Sequence, residues 1–253
     1  MMMTPSLRSI LGLLAFVASF SSAAAAPFTA CVVEGNAPFS SRDAGAKGID
    51  VDVLQAIAAR IGRDLQFNWI TVAARGGLGR ALKQSIQSGG CDLFAGLPVT
   101  DGGGEDLAER GLAASVSYVS IGYALVVPDA SAVRSMADVR RLKVGAVTAT
   151  PADLYLRAGG YNRTPYGNAS QLLAAVANGE LGAGLIWAGR LAEVPLSAGL
   201  AVRQVLTDAS LTTRFVLARR SGDSALGEAV DEAISALQAD GTLGAIARRA
   251  GLP

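Results

Sequence analysis

The order of apolar and polar positions divides this chain into short alternating strands and helices. Phe28 to Val33 is β-rich and predicts a buried strand. Val51, Leu54, Ile57, Ala58 and Ile61 recur at helical spacing, with Asp50 as a candidate N-cap and Gly62 as a stop. Leu65, Phe67 and Trp69 alternate with polar neighbours, as in a second strand ending near Val72. Leu78, Leu82 and Ile86 lie four apart, which predicts a helix over 78–88 closed by Gly89-Gly90. Cys91 to Gly96 is a third short strand, and Pro98 to Gly111 reads as a loop with three consecutive glycines. This β-α-β-α-β order implies an α/β fold with a mostly parallel sheet flanked by helices.

Ser117 to Val127 is a long β-rich segment, a candidate crossover into a second lobe. The pattern then repeats. Strands are predicted at 142–147, 183–187, 200–206 and 213–218, and helices from Pro151 to near Gly159 and over 168–177, 224–238 and 242–250. The expected layout is lobe 1 over 26–121, lobe 2 over 122–215 and a return to lobe 1 over 216–253. One continuous α/β domain is the alternative. Ligands in such folds sit outside the carboxyl ends of the strands, so two facing lobes would form a cleft.

Residues 1–25 change the picture of where the chain works. Arg8, the apolar run Ile10 to Phe20 and the small residues Ser21 to Ala26 have the three-part layout of a secretory signal. The run is shorter than the roughly 20 residues of a membrane span. Cleavage after Ala25 and a periplasmic location are expected, with a retained N-terminal anchor as the other reading.

Charge and composition remove several functions. A net charge of +1 offers no electrostatic case for nucleic acid. With no histidine, Ser-His-Asp and Cys-His catalysis and His-ligated metal sites are excluded. No cofactor and no metal are expected. Cys31 and Cys91 permit one intramolecular disulfide in an exported protein, the alternative being two buried thiols.

The candidate ligand-binding residues are Phe39, Trp69, Pro98, Thr100, Tyr118, Thr148, Thr150 and Trp187. Trp187 and Phe39 lie at strand ends, where a ring stacks on a flat ligand or plugs the site; a core position is the other reading of Trp187. Trp69 is open between sheet core and cleft. Thr148-Ala149-Thr150 precedes a helix, so it is either an oxyanion site or a plain N-cap. Asp50 and Asp52 read as helix capping rather than as a catalytic pair. Asp101, Glu105 and Asp106 lack an EF-hand's ligand spacing and read as a solvated loop. Arg75, Arg80 and Arg110 read as surface charges, the other reading being that one of them reaches an anionic ligand or partner.

Several segments together resemble the family 3 extracellular solute-binding proteins. These are Gly48-Ile49-Asp50-Val51-Asp52-Val53-Leu54, Ala174 to Ala183, and Leu237 to Leu243 with Gly251-Leu252-Pro253. The resemblance implies the type II periplasmic-binding fold, a monomer, and a small-molecule ligand between the lobes. It also implies a partner permease of an ABC importer, for which the chain would be the receptor of a small polar or anionic solute other than a standard α-amino acid. Relatives that bind amino acids hold the ligand carboxylate with an Arg three residues after a Thr, and the amino group with a second-lobe Asp. Here Gly103 and Trp187 stand in those places.

Cys31, Asn36 to Ser40, Trp69, Gly90 to Pro98 and Ile186-Trp187 further resemble the subgroup associated with periplasmic quinoprotein (PQQ) alcohol dehydrogenases. That implies non-covalent recognition as an accessory to a dehydrogenase or its cytochrome. Some relatives on this fold are dehydratases. In that reading Glu193, close after Trp187, is the nearest candidate acid–base group.

Overall fold

A computed structural model describes residues 26–43, 45–73, 77–99, 104–194 and 196–253, without the side chains of 104–106. The expected signal segment, Arg75, Thr100, Asp101, and the side chains of Glu105 and Asp106 lie outside the described residues. In chain order the elements are β1 (Phe28–Val33), α1 (Ile49–Ile61), β2 (Leu65–Ile70), α2 (Gly77–Gln84), β3 (Leu93–Val99), α3 (Gly104–Glu109), β4 (Leu112–Ala114), β5 (Val119–Ile121) and β6 (Tyr123–Pro128). They continue with β7 (Val144–Val147), α4 (Pro151–Ala158), β8 (Arg163–Tyr166), α5 (Ala169–Ala177), β9 (Ala183–Trp187), α6 (Ala188–Leu191) and β10 (Leu200–Leu206). A 3-10 turn at Ala209–Leu211 leads to β11 (Thr213–Arg220), α7 (Ser224–Ala239) and α8 (Thr242–Arg249).

The strands form two sheets. The first has the order β2-β1-β3-β11-β4, with β5 also on β11; the second has the order β10-β6-β9-β7-β8. Pairing is parallel where βαβ units build the lobes, at β2-β1-β3 and β9-β7-β8. It is antiparallel at the strands that enter and leave the second lobe, β6, β10 and β11. The chain therefore crosses between sheets twice, once at Gly122 and once through residues 207–212. The first sheet regains the chain at Thr213, paired with Ile121, three residues ahead of the expected 216.

The predicted extended segment 117–127 is real but broken at Gly122, with β5 in one sheet and β6 in the other. Gly122 carries no side chain for a steric reason: a Cβ there would lie 2.0 Å from the Leu206 carbonyl oxygen. Its own carbonyl accepts from the Ala188 amide at 2.9 Å. The two crossings and the start of α6 thus touch at one point.

The apolar stripe of α1 buries Val53, Leu54 and Ile57 against β1 and against α7, which presents Val230, Ile234 and Leu237. Each such side chain contributes on the order of 2 kcal/mol by leaving water. The disulfide Cys31–Cys91 is formed, with Cα atoms 5.7 Å apart. It ties β1 to the residue pair preceding β3, and Arg220 donates to the Cys91 carbonyl at 2.7 Å.

Two local expectations are corrected, and one strand was not foreseen. Helix α2 stops at Gln84 and gives way to turns, because the Ser85 and Ser88 hydroxyls bond back to the Ala81 and Gln84 carbonyls. The Pro98–Gly111 loop contains the end of β3 and the helix α3. Strand β8 was not legible, because it is a four-residue edge strand containing Pro165, a residue that suits only edges. No described helix is long and apolar enough to cross a membrane.

Candidate functional site

Between the lobes lies a cleft of about 540 Å³, within the range of small-molecule sites. Its centre is a group of three rings. Phe39 comes from the loop after β1, Phe215 from β11 and Trp187 from the end of β9. Phe39 and Phe215 are 4.4 Å apart between centroids, and Trp187 lies 6.3 Å from Phe39 and 6.4 Å from Phe215. Phe39 and Trp187 are within 24° of parallel. Ring pairs at such separations attract beyond simple burial. Val33, Val72, Leu78 and Pro98 extend the apolar wall.

The loop that delivers Phe39 is tightly built. Ser40 donates to the Val33 carbonyl at 2.6 Å, and the Asp50 amide donates to the Phe39 carbonyl at 2.8 Å. The start of α1 therefore holds this ring in place. Among the described residues, polar groups at the cleft are few. Asn36 and Thr213 line it, and Arg190 pairs with Glu193 at 2.5 Å. The indole Nε1 of Trp187 is buried and has no hydrogen-bond partner among the described residues.

Behind the cleft wall sits a buried carboxyl. Asp50 is fully buried, and its Oδ1 accepts from the Tyr118 hydroxyl at 2.5 Å. That hydroxyl accepts in turn from the Gly96 amide at 3.0 Å. Oδ2 of Asp50 has no partner among the described residues. Burial raises the Asp50 carboxyl from 3.8 to about 7, against the lowering effect of the Tyr118 bond. Burial also pushes the Tyr118 phenol well above its ordinary value, aided by the charge and hydrogen bond of Asp50. Asp50 is thus not the helix cap. Gly48 holds that position, with no side-chain cap bond, and Asp50 is the second helical residue. Asp52 faces outward and pairs with Arg249 at 3.2 Å.

The candidate residues separate clearly. Phe39, Pro98 and Trp187 line the cleft. Tyr118 does not, because it is 2% exposed and its hydroxyl is held by Asp50 and Gly96. Trp69 is half-buried in β2, tilted against Phe67 at 6.0 Å, and is not part of the cleft wall. Thr148 is exposed and donates to the Tyr166 carbonyl at 3.0 Å.

Thr150 is the N-cap of α4, accepting from the Asp153 amide at 3.4 Å. The helix start that was open to an oxyanion is filled from within. Asp153 accepts from the Ala149 amide at 3.1 Å and pairs with Arg163. The Tyr123 phenol is pushed up by burial, against the lowering influence of the nearby Thr150 side chain and Ala152 amide. Sequence reasoning missed Phe215, Asn36 and the burial of Asp50. The alternation of Phe215 and Leu217 along β11 marked one buried face but not its neighbours.

Comparison with known proteins agrees with this architecture. The L-cystine solute receptor of Neisseria gonorrhoeae, in its unliganded open conformation, has a TM-score of 0.72 at 23% identity, covering 88% of this chain and 92% of that one. Substrate-binding domain 2 of Lactococcus lactis GlnP, also open, has a TM-score of 0.68 at 23% identity, covering 87% and 92%. MxaJ from Methlophaga aminisulfidivorans has a TM-score of 0.59 at 19% identity, covering 89% and 99%. No match is found among curated proteins. These structures speak for a shared fold, and the model of the bacterial extracellular solute-binding proteins, family 3, matches residues 28–251. The chain therefore belongs to that family, with its two helix-flanked sheets in the type II periplasmic-binding fold.

Proposed function

We propose that this chain is a periplasmic recognition protein that acts without catalysis, as an accessory to a quinoprotein alcohol dehydrogenase system. In this reading the interlobe cleft takes a small solute with a flat or apolar body rather than a free α-amino acid. The observation that carries the solute class is Trp187, seated against Phe39 and Phe215 in the place where amino-acid-binding relatives are expected to carry an Asp. Gly103 stands where those relatives are expected to carry an Arg, so neither charged end of an amino acid has its expected anchor. The accessory role rests on the resemblance carried by Cys31, Gly90 to Pro98 and Ile186-Trp187, and the likeness in fold to MxaJ is compatible with it.

A second reading is a receptor delivering a solute to an ABC permease. The open, largely apolar cleft of about 540 Å³ favours it, as does the likeness in fold to the cystine receptor. Glu193 is engaged by Arg190, which speaks against a free acid–base group there.

Thermal unfolding of the mature protein against amino acids, organic acids, alcohols, aldehydes and PQQ separates these readings. A ligand at 100 times its Kd stabilises by about 2.7 kcal/mol. A shift with one solute and no capture of dehydrogenase or cytochrome supports the receptor. Capture of purified dehydrogenase or cytochrome supports the accessory role. A shift with α-amino acids alone overturns the proposed solute class.

A further inference from the structure

Strand β2 is an end strand of the first sheet, and among the described residues nothing pairs with its outer edge. Its pairing with β1 is parallel and unbroken from Leu65 to Ile70. The Phe28 amide donates to the Asp64 carbonyl at 2.9 Å, and the Glu34 amide to the Ile70 carbonyl at 2.8 Å. Backbone groups alternate in direction along a strand, so Asp64, Gln66, Asn68 and Ile70 turn theirs toward β1. The N–H and C=O groups of Leu65, Phe67 and Trp69 therefore point outward, and no described residue bonds them.

Open edges of this kind are normally blunted by lysine, proline, a bulge or a covering element. Leu65-Gln66-Phe67-Asn68-Trp69-Ile70 carries no charge and no proline, and its register has no shift. Its side chains are half-buried apart from Gln66, which is exposed. Leu65, Phe67 and Trp69 share one face, packed against the core, with the two rings 6.0 Å apart. Gln66 and Asn68 share the other face. From Leu65 to Trp69 the order reads alike in both directions: apolar, amide, apolar, amide, apolar.

An antiparallel second copy centred on Phe67 sets Phe67 opposite Phe67, Leu65 opposite Trp69 and Gln66 opposite Asn68. In this register the residues with outward groups face one another, so each of those pairs exchanges both of its hydrogen bonds. A slip of one residue would set outward groups against inward ones. Apolar side chains meet apolar ones and amides meet amides, which stabilises such pairs. The flanking Asp64 falls opposite Ile70, so no like charges meet. We infer that β2 is a self-association edge, through which two copies of this chain join their first sheets across a two-fold axis. This departs from the monomer that the family resemblance implies. One strand pairing buries less than the roughly 1,600 Å² of a stable complex, so the dimer is weak and depends on concentration. Strand β2 runs toward the cleft, whose wall contains Val72. The two clefts of an antiparallel pair thus point in opposite directions, and the second lobes take no part in the contact.

Sedimentation of the mature protein across a hundredfold range of concentration, with amide exchange read residue by residue at both ends of that range, tests this. The expected result is a monomer–dimer equilibrium in which the amides of Leu65, Phe67 and Trp69 are several-fold better protected at the high concentration. The amides of Gln66, Asn68 and Ile70, turned toward β1, should be slow at both. Leu65→Pro removes an outward N–H at the first position of the strand, where proline is tolerated, and keeps the bonds to β1. It should weaken dimerisation at least tenfold. A protein that stays monomeric throughout the range overturns the proposal, whether the edge is bare or meets an extended segment of another protein. A dimer whose three outward amides exchange as fast as in the monomer also overturns it, because another surface then holds the copies together. Unaltered dimerisation of a folded Leu65→Pro does the same.

Discussion

Two aspartates in the first turn of a helix, Asp50 in α1 and Asp153 in α4, meet opposite fates in the two lobes. Asp153 has a full set of partners: the Arg163 guanidinium, the Ala149 amide and the nearby charge of Arg157. Burial pushes its carboxyl up, but these partners outweigh burial and hold it below the ordinary carboxylate range. Asp50 has one partner, Tyr118, and one empty oxygen, and burial wins. The same residue type at nearly the same helical position is therefore a structural anchor in one lobe and a polar group left open beside the cleft in the other. The difference lies in what the neighbouring strands supply. Strand β8 brings a cation to Asp153, whereas β3 brings Asp50 only the thin backbone of Gly96.

The largest test of this contrast is the pH dependence of stability. The Asp50 carboxyl is raised in the folded state from 3.8 to about 7. The folded protein thus binds more protons than the unfolded chain between those values. Stability tied to the neutral carboxyl is whole below about pH 4 and is lost as pH rises to 7. The loss amounts to about 4 kcal/mol, at roughly 1.4 kcal/mol for each of about three pH units. Urea unfolding at pH 4.5 and 8 should show a wild-type decline that Asp50→Asn lacks, leaving the variant the more stable protein at pH 8. An unchanged slope in Asp50→Asn would break the contrast.

Arg163→Met should act in the other direction. It removes the charged partner of Asp153 and should cost about 2 kcal/mol at pH 7, measured by the same unfolding. Because the Asp153 carboxyl is held low, this cost should shrink as pH falls below about 4. Asp52→Asn sets the lower bound. Its pairing with Arg249 is solvent-exposed, and its removal should change stability by less than about 0.5 kcal/mol at either pH. An effect as large as that of Asp50→Asn would show that position in the first turn, rather than burial, governs these aspartates.

Much of the fold was legible. Apolar patterning located β1, α1, α5, β9, α7 and α8 to within a few residues, because each buries a run or stripe of apolar side chains. The disulfide was one of two readings of Cys31 and Cys91, the other being two buried thiols, and the structure forms it. The cleft was legible only in part. Phe39, Pro98 and Trp187 stand at strand or loop positions that point to it, but Tyr118 was drawn inward by Asp50, and Trp69 stays half-buried on β2 beside Phe67, away from the cleft wall. Thr148 and Thr150 illustrate the limit most clearly. Their pattern marks a helix start, and only the arrival of Asp153 and Tyr123 decides that the chain itself fills it.

By itself, the order of residues determined the α/β alternation, the candidate crossing within 117–127, the only possible cysteine pairing and the exclusion of histidine chemistry. These depend on local periodicity, on steric rules of the backbone and on which side chains exist at all. Only the tertiary structure decided that Phe215 joins Phe39 and Trp187, and that Asp50 is buried with one oxygen unanswered. Those outcomes depend on groups brought together from far apart in the chain, such as Tyr118 and Asp50, 68 positions apart. The ionisation of a carboxyl is set by the water and donors around it, and these exist only once the two lobes have folded.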